Sequence, residues 1–342
     1  MTHRKSIIFL ALIALLIGGC LQNIEAPRPP MPEIVWPKPP EIPRIRFVDS
    51  VSKPEDLGIR SSGFRRFLEY FAGKTVRKAM VAPYGIETDS SGRIYVVDSF
   101  LKRIHLFDPV KKRYRWFPKK KTRLLSPIDI AIDDERGFIY VSDSTEGVVR
   151  IFQGAGKVYA GEIGRGLFKR PTGIAVNQTA SELLVVDTVE ETVFRYALDD
   201  HNFKGLFGGS GKAMGRLHYP THIFVTADGI IYITDALNFR IQAFSSKGEF
   251  MMTFGSIGQG PGYFARPRGV ATDSDGNIYV VDGLFDNVQI FDKKGRLLMA
   301  FGSSGHAYGE FWLPTGIYID PNDRIYVSDH YNKRVQIFQY IK

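Results

Sequence analysis

With 342 residues, 44% of them hydrophobic and 13% aromatic, the chain carries enough apolar material for one large core. Lysine and arginine number 45 against 36 acidic residues, a formal charge of +9 that favours anionic partners over cationic ones. The single cysteine, Cys20, excludes an internal disulfide, and no thiol nucleophile or Cys-based haem attachment exists in the body of the chain.

The first element is a basic start at His3, Arg4 and Lys5, followed by the apolar run Ile7 to Ile17 and then Gly18-Gly19-Cys20. That run is too short to span a bilayer as a stable helix and reads as a secretory signal. The stretch Ile17-Gly18-Gly19-Cys20 resembles the processing box of bacterial lipoproteins. The resemblance implies that residues 1–19 are removed and that Cys20 becomes a lipidated first residue, tethering the chain to a membrane of the cell envelope. Leu21, rather than Asp, suggests the outer membrane, by similarity to known sorting rules. Eight prolines follow between residues 24 and 45. They favour polyproline II, reaching up to roughly 70 Å at ~3.1 Å per residue. Residues 20–63 are therefore read as the lipidated cysteine and a linker, and residues 64–342 as the folded domain.

Within that domain one pattern recurs six times. A proline opens each unit at positions 83, 127, 171, 220, 267 and 314. An apolar run then ends at Asp98, Asp143, Asp187, Asp235, Asp282 or Asp329, and nine residues later comes Phe107, Phe152, Tyr196, Phe244, Phe291 or Phe338. Successive aspartates lie 45, 44, 48, 47 and 47 residues apart. A repeat of that length with several strand-like runs per unit predicts a toroidal array of small sheets. The fifth unit shows the predicted strands in order: Pro267 to Asp273, Ile278 to Asp282, Asn287 to Asp292, and Arg296 to Gly302. Turns such as Ser274-Asp275-Gly276-Asn277 separate them. Four antiparallel strands in such a unit make a propeller blade.

Pro314-Thr315-Gly316-Ile317, Ile325-Tyr326-Val327-Ser328-Asp329 and Asn332-Lys333-Arg334-Val335-Gln336-Ile337-Phe338 resemble the NHL repeat, and the likeness extends over about residues 64–340. It implies an all-β, six-bladed propeller. The last unit stops after its third strand, so the fourth must come from the N-terminal side. Residues 66–73 copy the fourth-strand pattern of residues 295–302, and residues 65–73 are expected to pair with Asn332–Tyr340, closing the ring.

Antiparallel order sends the inter-blade loops to the same face as the loops between second and third strands. The inter-blade loops there are basic: Lys74, Arg77 and Lys78, then Lys119, Lys120, Lys121 and Arg123, then Arg165, Lys169 and Arg170, then Lys212, Arg216 and His218, then Arg266, with Arg268 just inside the fifth blade. This face is the expected binding surface, for a protein or for an anionic glycan or lipid headgroup. The run Lys111 to Arg123 also interleaves Tyr114, Trp116 and Phe117, a composition shared with single-stranded nucleic-acid platforms. Export disfavours a nucleic-acid partner. The six aspartates, being regular, are read as turn-stabilising and not as ligands.

Departures from the repeat are the other candidates. Pro-x-Gly holds at Gly85, Gly173, Gly269 and Gly316, but Asp129 and His222 replace glycine in blades two and four. With His330 they form the alternative candidate catalytic set, a metal-assisted lyase or hydrolase site at the channel mouth. Glu146, Glu190 and Glu191 are read as conceivable neighbours. The chain also resembles the amidating lyase of peptidyl-α-hydroxyglycines, which implies zinc held by histidines directly after the blade prolines. Here those positions are Tyr84, Ile128, Thr172, Thr221, Arg268 and Thr315. No zinc site of that kind, and no cofactor, is expected, a structural divalent cation in the channel being the one exception considered. Phosphate loops, nucleophile elbows and His-Glu-x-x-His are absent from the sequence. The preferred reading is a non-catalytic, membrane-anchored binding scaffold.

Overall fold

Runs such as Ile278–Asp282 and Asn287–Phe291 place β-branched and aromatic residues in near-continuous order, which suits strands covered on both faces. Both are strands, almost wholly buried, in the computed structural model. The structure describes residues 31–60, 78–119 and 122–342. The chain divides into two units, Met1–Pro32 with Arg60–Arg77, and Glu33–Ile59 with Lys78–Lys342. The second holds every described strand.

Its strands form six antiparallel sheets. Blade one runs through Pro83–Thr88, Ile94–Asp98, Arg103–Asp108 and Arg113–Phe117, and blades two to five repeat that order. The first strands of neighbouring blades touch one another around the ring, and that of blade six touches that of blade one. First strands are therefore innermost and line the axis. The repeated aromatic of the third strand is buried in every blade, from Phe107 to Phe338. It packs between sheets: Phe291 lies 4.8 Å from Phe254 of the preceding blade and 5.6 Å from Phe264. Each such ring contributes about 1.5–3 kcal/mol by burial. Among the described residues no helix is long and apolar enough to cross a membrane.

The ring closes through an N-terminal strand, as expected, but through a different segment. Strand β1 is Val35–Trp36 and β2 is Ile45–Val51. β2 pairs with Arg334–Tyr340, with Phe47 opposite Phe338 and Val51 opposite Val335. The other edge of Arg334–Tyr340 is taken by Arg324–Asp329. Both edges of that strand are thus occupied; residues 65–73, expected there from the sequence, lie outside the described residues. β1 adds a fifth strand beside β2. Trp36 covers the seam, with its ring 5.7 Å from Phe301 and 5.8 Å from Phe338. Residues 35–51, read from the sequence as linker, thus belong to the propeller.

Candidate binding site

The six repeated aspartates fix the face on which the site lies. Each is fully buried and stands opposite its blade's opening proline, as in Pro83 with Asp98 and Pro314 with Asp329. The Asp187 carboxylate accepts from the backbone N–H groups of Lys169 and Arg170 in the inter-blade loop, and from Val189 and Glu190 in the loop after its own strand. Asp282 does the same with Ala265, Arg266, Leu284 and Phe285. In blade six Asp329 accepts from Trp312 N–H, Asn332 Nδ2, Arg334 Nε and Gln336 Nε2. One carboxylate per blade therefore ties two loops together, and charge-assisted bonds of this kind hold both loops in place.

Beneath those loops the axis opens into a cavity of about 570 Å³, counted with the solvent at its mouth. All six residues that follow the blade prolines line it: Tyr84, Ile128, Thr172, Thr221, Arg268 and Thr315. The next positions explain the recurrent glycine. A Cβ on Gly316 would lie 2.3 Å from the carbonyl oxygen of Tyr84, and one on Gly85 would lie 2.7 Å from Cα of Asp129. Adjacent first strands approach too closely there for a side chain. Asp129 and His222, which replace glycine, project into the cavity.

These two residues come together as the sequence suggested. His222 Nε2 lies 4.0 Å from Asp129 Oδ2. His222 Nδ1 accepts from the N–H of Val270, so the ring is neutral with its proton on Nε2. Burial lowers its pKa to about 4. Burial pushes Asp129 up to about 7, although the N–H of Ile174 donates to its Oδ2. Glu87, on the first strand of blade one, is raised well above the carboxylate range by burial and then by Asp129 and Asp134. Near neutrality the imidazole is thus uncharged, Asp129 is about half protonated, and Glu87 is shifted toward its protonated form.

The cations of the mouth are not so silenced. Arg268 donates through Nη1 to the hydroxyl of Tyr84 at 3.2 Å, while its buried Nε has no hydrogen-bond partner. Arg170 is exposed, donates to the hydroxyl of Tyr219 and lies 5.6 Å over that ring. Arg266 stands beside Arg268, and burial followed by that like charge lowers its pKa. Among the described residues none of these three guanidiniums has a carboxylate at ion-pair distance.

The other sequence candidates are placed as follows. His330 does not line the cavity; its Nδ1 donates to the carbonyl of Pro83 at 3.1 Å. Glu146, Glu190 and Glu191 do not converge on the axis. They pair locally with Arg165, Lys169 and His218 at 3.4, 2.5 and 2.6 Å. Among the described residues no three His, Cys, Asp or Glu side chains group so as to hold a metal ion. The metal-assisted set Asp129, His222 and His330 is therefore not assembled. Lys119 and Arg123 are exposed on the loop entering blade two, with Lys119 5.1 Å over the Trp116 ring. Lys78 is half-buried. Lys74, Arg77, Lys120, Lys121 and Cys20 lie outside the described residues. Arg170, expected only as one of the basic inter-blade residues, lines the cavity, as does Tyr219, which the sequence reading did not single out. The position after each proline was a usable signal, since all six converge there.

A family model for the NHL repeat matches residues 311–338, and one described as a 6-bladed beta-propeller matches residues 217–284. Among curated proteins none matches the chain. Similar solved structures include virginiamycin B lyase from Staphylococcus aureus, at 14% identity and TM-score 0.57, covering 76% of this chain and 96% of that one. An auxiliary nutrient binding protein from Bacteroides thetaiotaomicron is 16% identical with TM-score 0.60, covering 77% and 70%. A chain of a nidogen/laminin complex is 17% identical with TM-score 0.54, covering 64% and 79%. At these identities the likeness establishes the fold alone.

Proposed function

We propose that this six-bladed propeller of NHL repeats is a non-catalytic binding protein that receives an anionic group at its axial mouth. The observation that carries the reading is Arg170 and Arg268 lining the cavity, with Arg266 beside Arg268, none paired to a carboxylate among the described residues, while burial raises the lining acid Asp129 to about 7. A guanidinium with an idle buried N–H gains most from an incoming oxyanion, because the bond forms where water is scarce. The exposed Lys119 and Arg123 extend the positive field outward and steer the partner. The propeller scaffold suits such a role, and similar folds occur in a nutrient binding protein and in a protein–protein complex. The same proposal places the chain in the bacterial envelope, tethered through a lipid on Cys20, with the basic face turned to an acidic protein or glycan.

The test is recovery of species co-purifying with the full chain from detergent-solubilised envelopes at about 0.15 M ionic strength. Arg170→Glu combined with Arg268→Glu is expected to lower recovery at least about tenfold. Unchanged recovery by a folded double variant overturns the reading.

A further inference from the structure

Around the mouth, on the proline side, the loops between second and third strands carry a second pattern. Two residues after the stapling aspartate stand Phe100, Leu237, Leu284 and Tyr331 in blades one, four, five and six. Trp312, from the loop entering blade six, joins them. All five are between 46% and 68% exposed. Turn chemistry does not call for large apolar side chains at such a position. Blade two breaks the pattern with Thr145 followed by Glu146, and blade three keeps it only with the smaller Val189, 49% exposed and followed by Glu190 and Glu191. The large apolar and aromatic side chains therefore form an arc over blades four, five, six and one, facing a sector that carries these glutamates.

The arc is held rigid and is joined to the mouth. Leu284 N–H donates to Asp282, Leu237 N–H to the carbonyl of His218, and Tyr331 N–H to the carbonyl of Trp312. A line of aromatic contacts then runs inward. Trp312 lies 5.1 Å from Tyr331, Tyr331 5.3 Å from His330, and His330 5.8 Å from Tyr84, whose hydroxyl holds Arg268.

We infer that this arc, with Arg268 and Arg266 at its inner edge, is the docking surface for a second protein that presents an acidic side chain within an apolar patch. The inference rests on the anion-binding mouth proposed above and names its partner class. Exposed Trp, Tyr and Phe beside an under-paired arginine is the composition of interface hot spots. Charge complementarity selects the carboxylate, because the guanidiniums of this edge have no counter-ion among the described residues. A polysaccharide offers too little apolar surface to cover Leu237 and Leu284.

The experiment places a photo-reactive side chain at Phe100 or Leu284 of the full-length chain in cells, with Lys294 on the opposite face as control. A discrete protein adduct is expected at 100 and 284 and absent at 294. It is expected to fall at least about tenfold in Trp312→Ala/Tyr331→Ala and in Arg268→Glu, with melting temperatures held. Loss with Arg268→Glu alone overturns the arc and leaves the mouth standing. Loss with the arc variant alone keeps the arc and removes the anion reading, and loss with neither overturns both. Lipid or glycan adducts, or arc-dependent binding to phosphatidylglycerol vesicles, overturn the protein partner.

Discussion

Asp129 and His222 stand 4.0 Å apart with their proton affinities displaced in opposite directions. Asp129 rises from 3.8 to about 7, so the folded chain keeps a proton that the unfolded chain releases. Its contribution to stability is full below 3.8 and is lost as pH rises through about 7. His222 falls from 6.5 to about 4, so the unfolded chain binds a proton that the folded chain refuses. Its contribution is full above 6.5 and is lost as pH falls toward 4. Between pH 4 and 6.5 the two slopes oppose each other and the parent curve is nearly flat from this pair. Asp129→Asn leaves only the histidine slope. Urea unfolding of that variant is expected to show stability climbing over pH 4–6.5 and exceeding the parent at pH 8 by about 2–4 kcal/mol. Equal stabilities at pH 8 would mean an ordinary Asp129. These two residues were legible because they break a glycine rule that the close approach of first strands imposes. Tyr219 was not legible, and Arg170 was legible only as one of many basic inter-blade residues, since their placement depends on how the next blade's loop leans over the mouth.

At the scale of strands, the repeat units were readable because burial on both faces forces long apolar runs and each staple demands its aspartate at a fixed offset. The closing strand was not. In β2 only Ile45 and Phe47 keep the alternation, because the pairing shifts between Phe47 and Asp49, and prolines crowd the approach. Residues 66–73, by contrast, copy the fourth-strand wording and lie outside the described residues. Phe47 is buried, stacked 5.2 Å from Tyr308 and edge-on to Phe338 at 5.7 Å. Phe47→Ala is expected to cost about 3–5 kcal/mol. Chemical denaturation reads this directly, and a change below about 1 kcal/mol would mean that β2 does not clasp the last blade.

At the scale of the whole molecule, the proposed lipid on Cys20 joins the chain upstream of β1. Cys20→Ala is expected to move the protein from the membrane to the soluble fraction while its melting temperature holds; membrane retention of that variant would remove the tether. The clasp has a further consequence, for synthesis. β2 finds its partner in Arg334–Tyr340, nearly the full length of the chain away. Until the ribosome has delivered that last segment, β2 has no edge to join and blade six lacks its hydrogen-bonded neighbours. Loop closure over such a distance is slow, and an unpaired strand edge invites wrong pairing. Assembly of the finished ring therefore waits on synthesis of Arg334–Tyr340, and the interval before it is when the nascent chain most needs a chaperone.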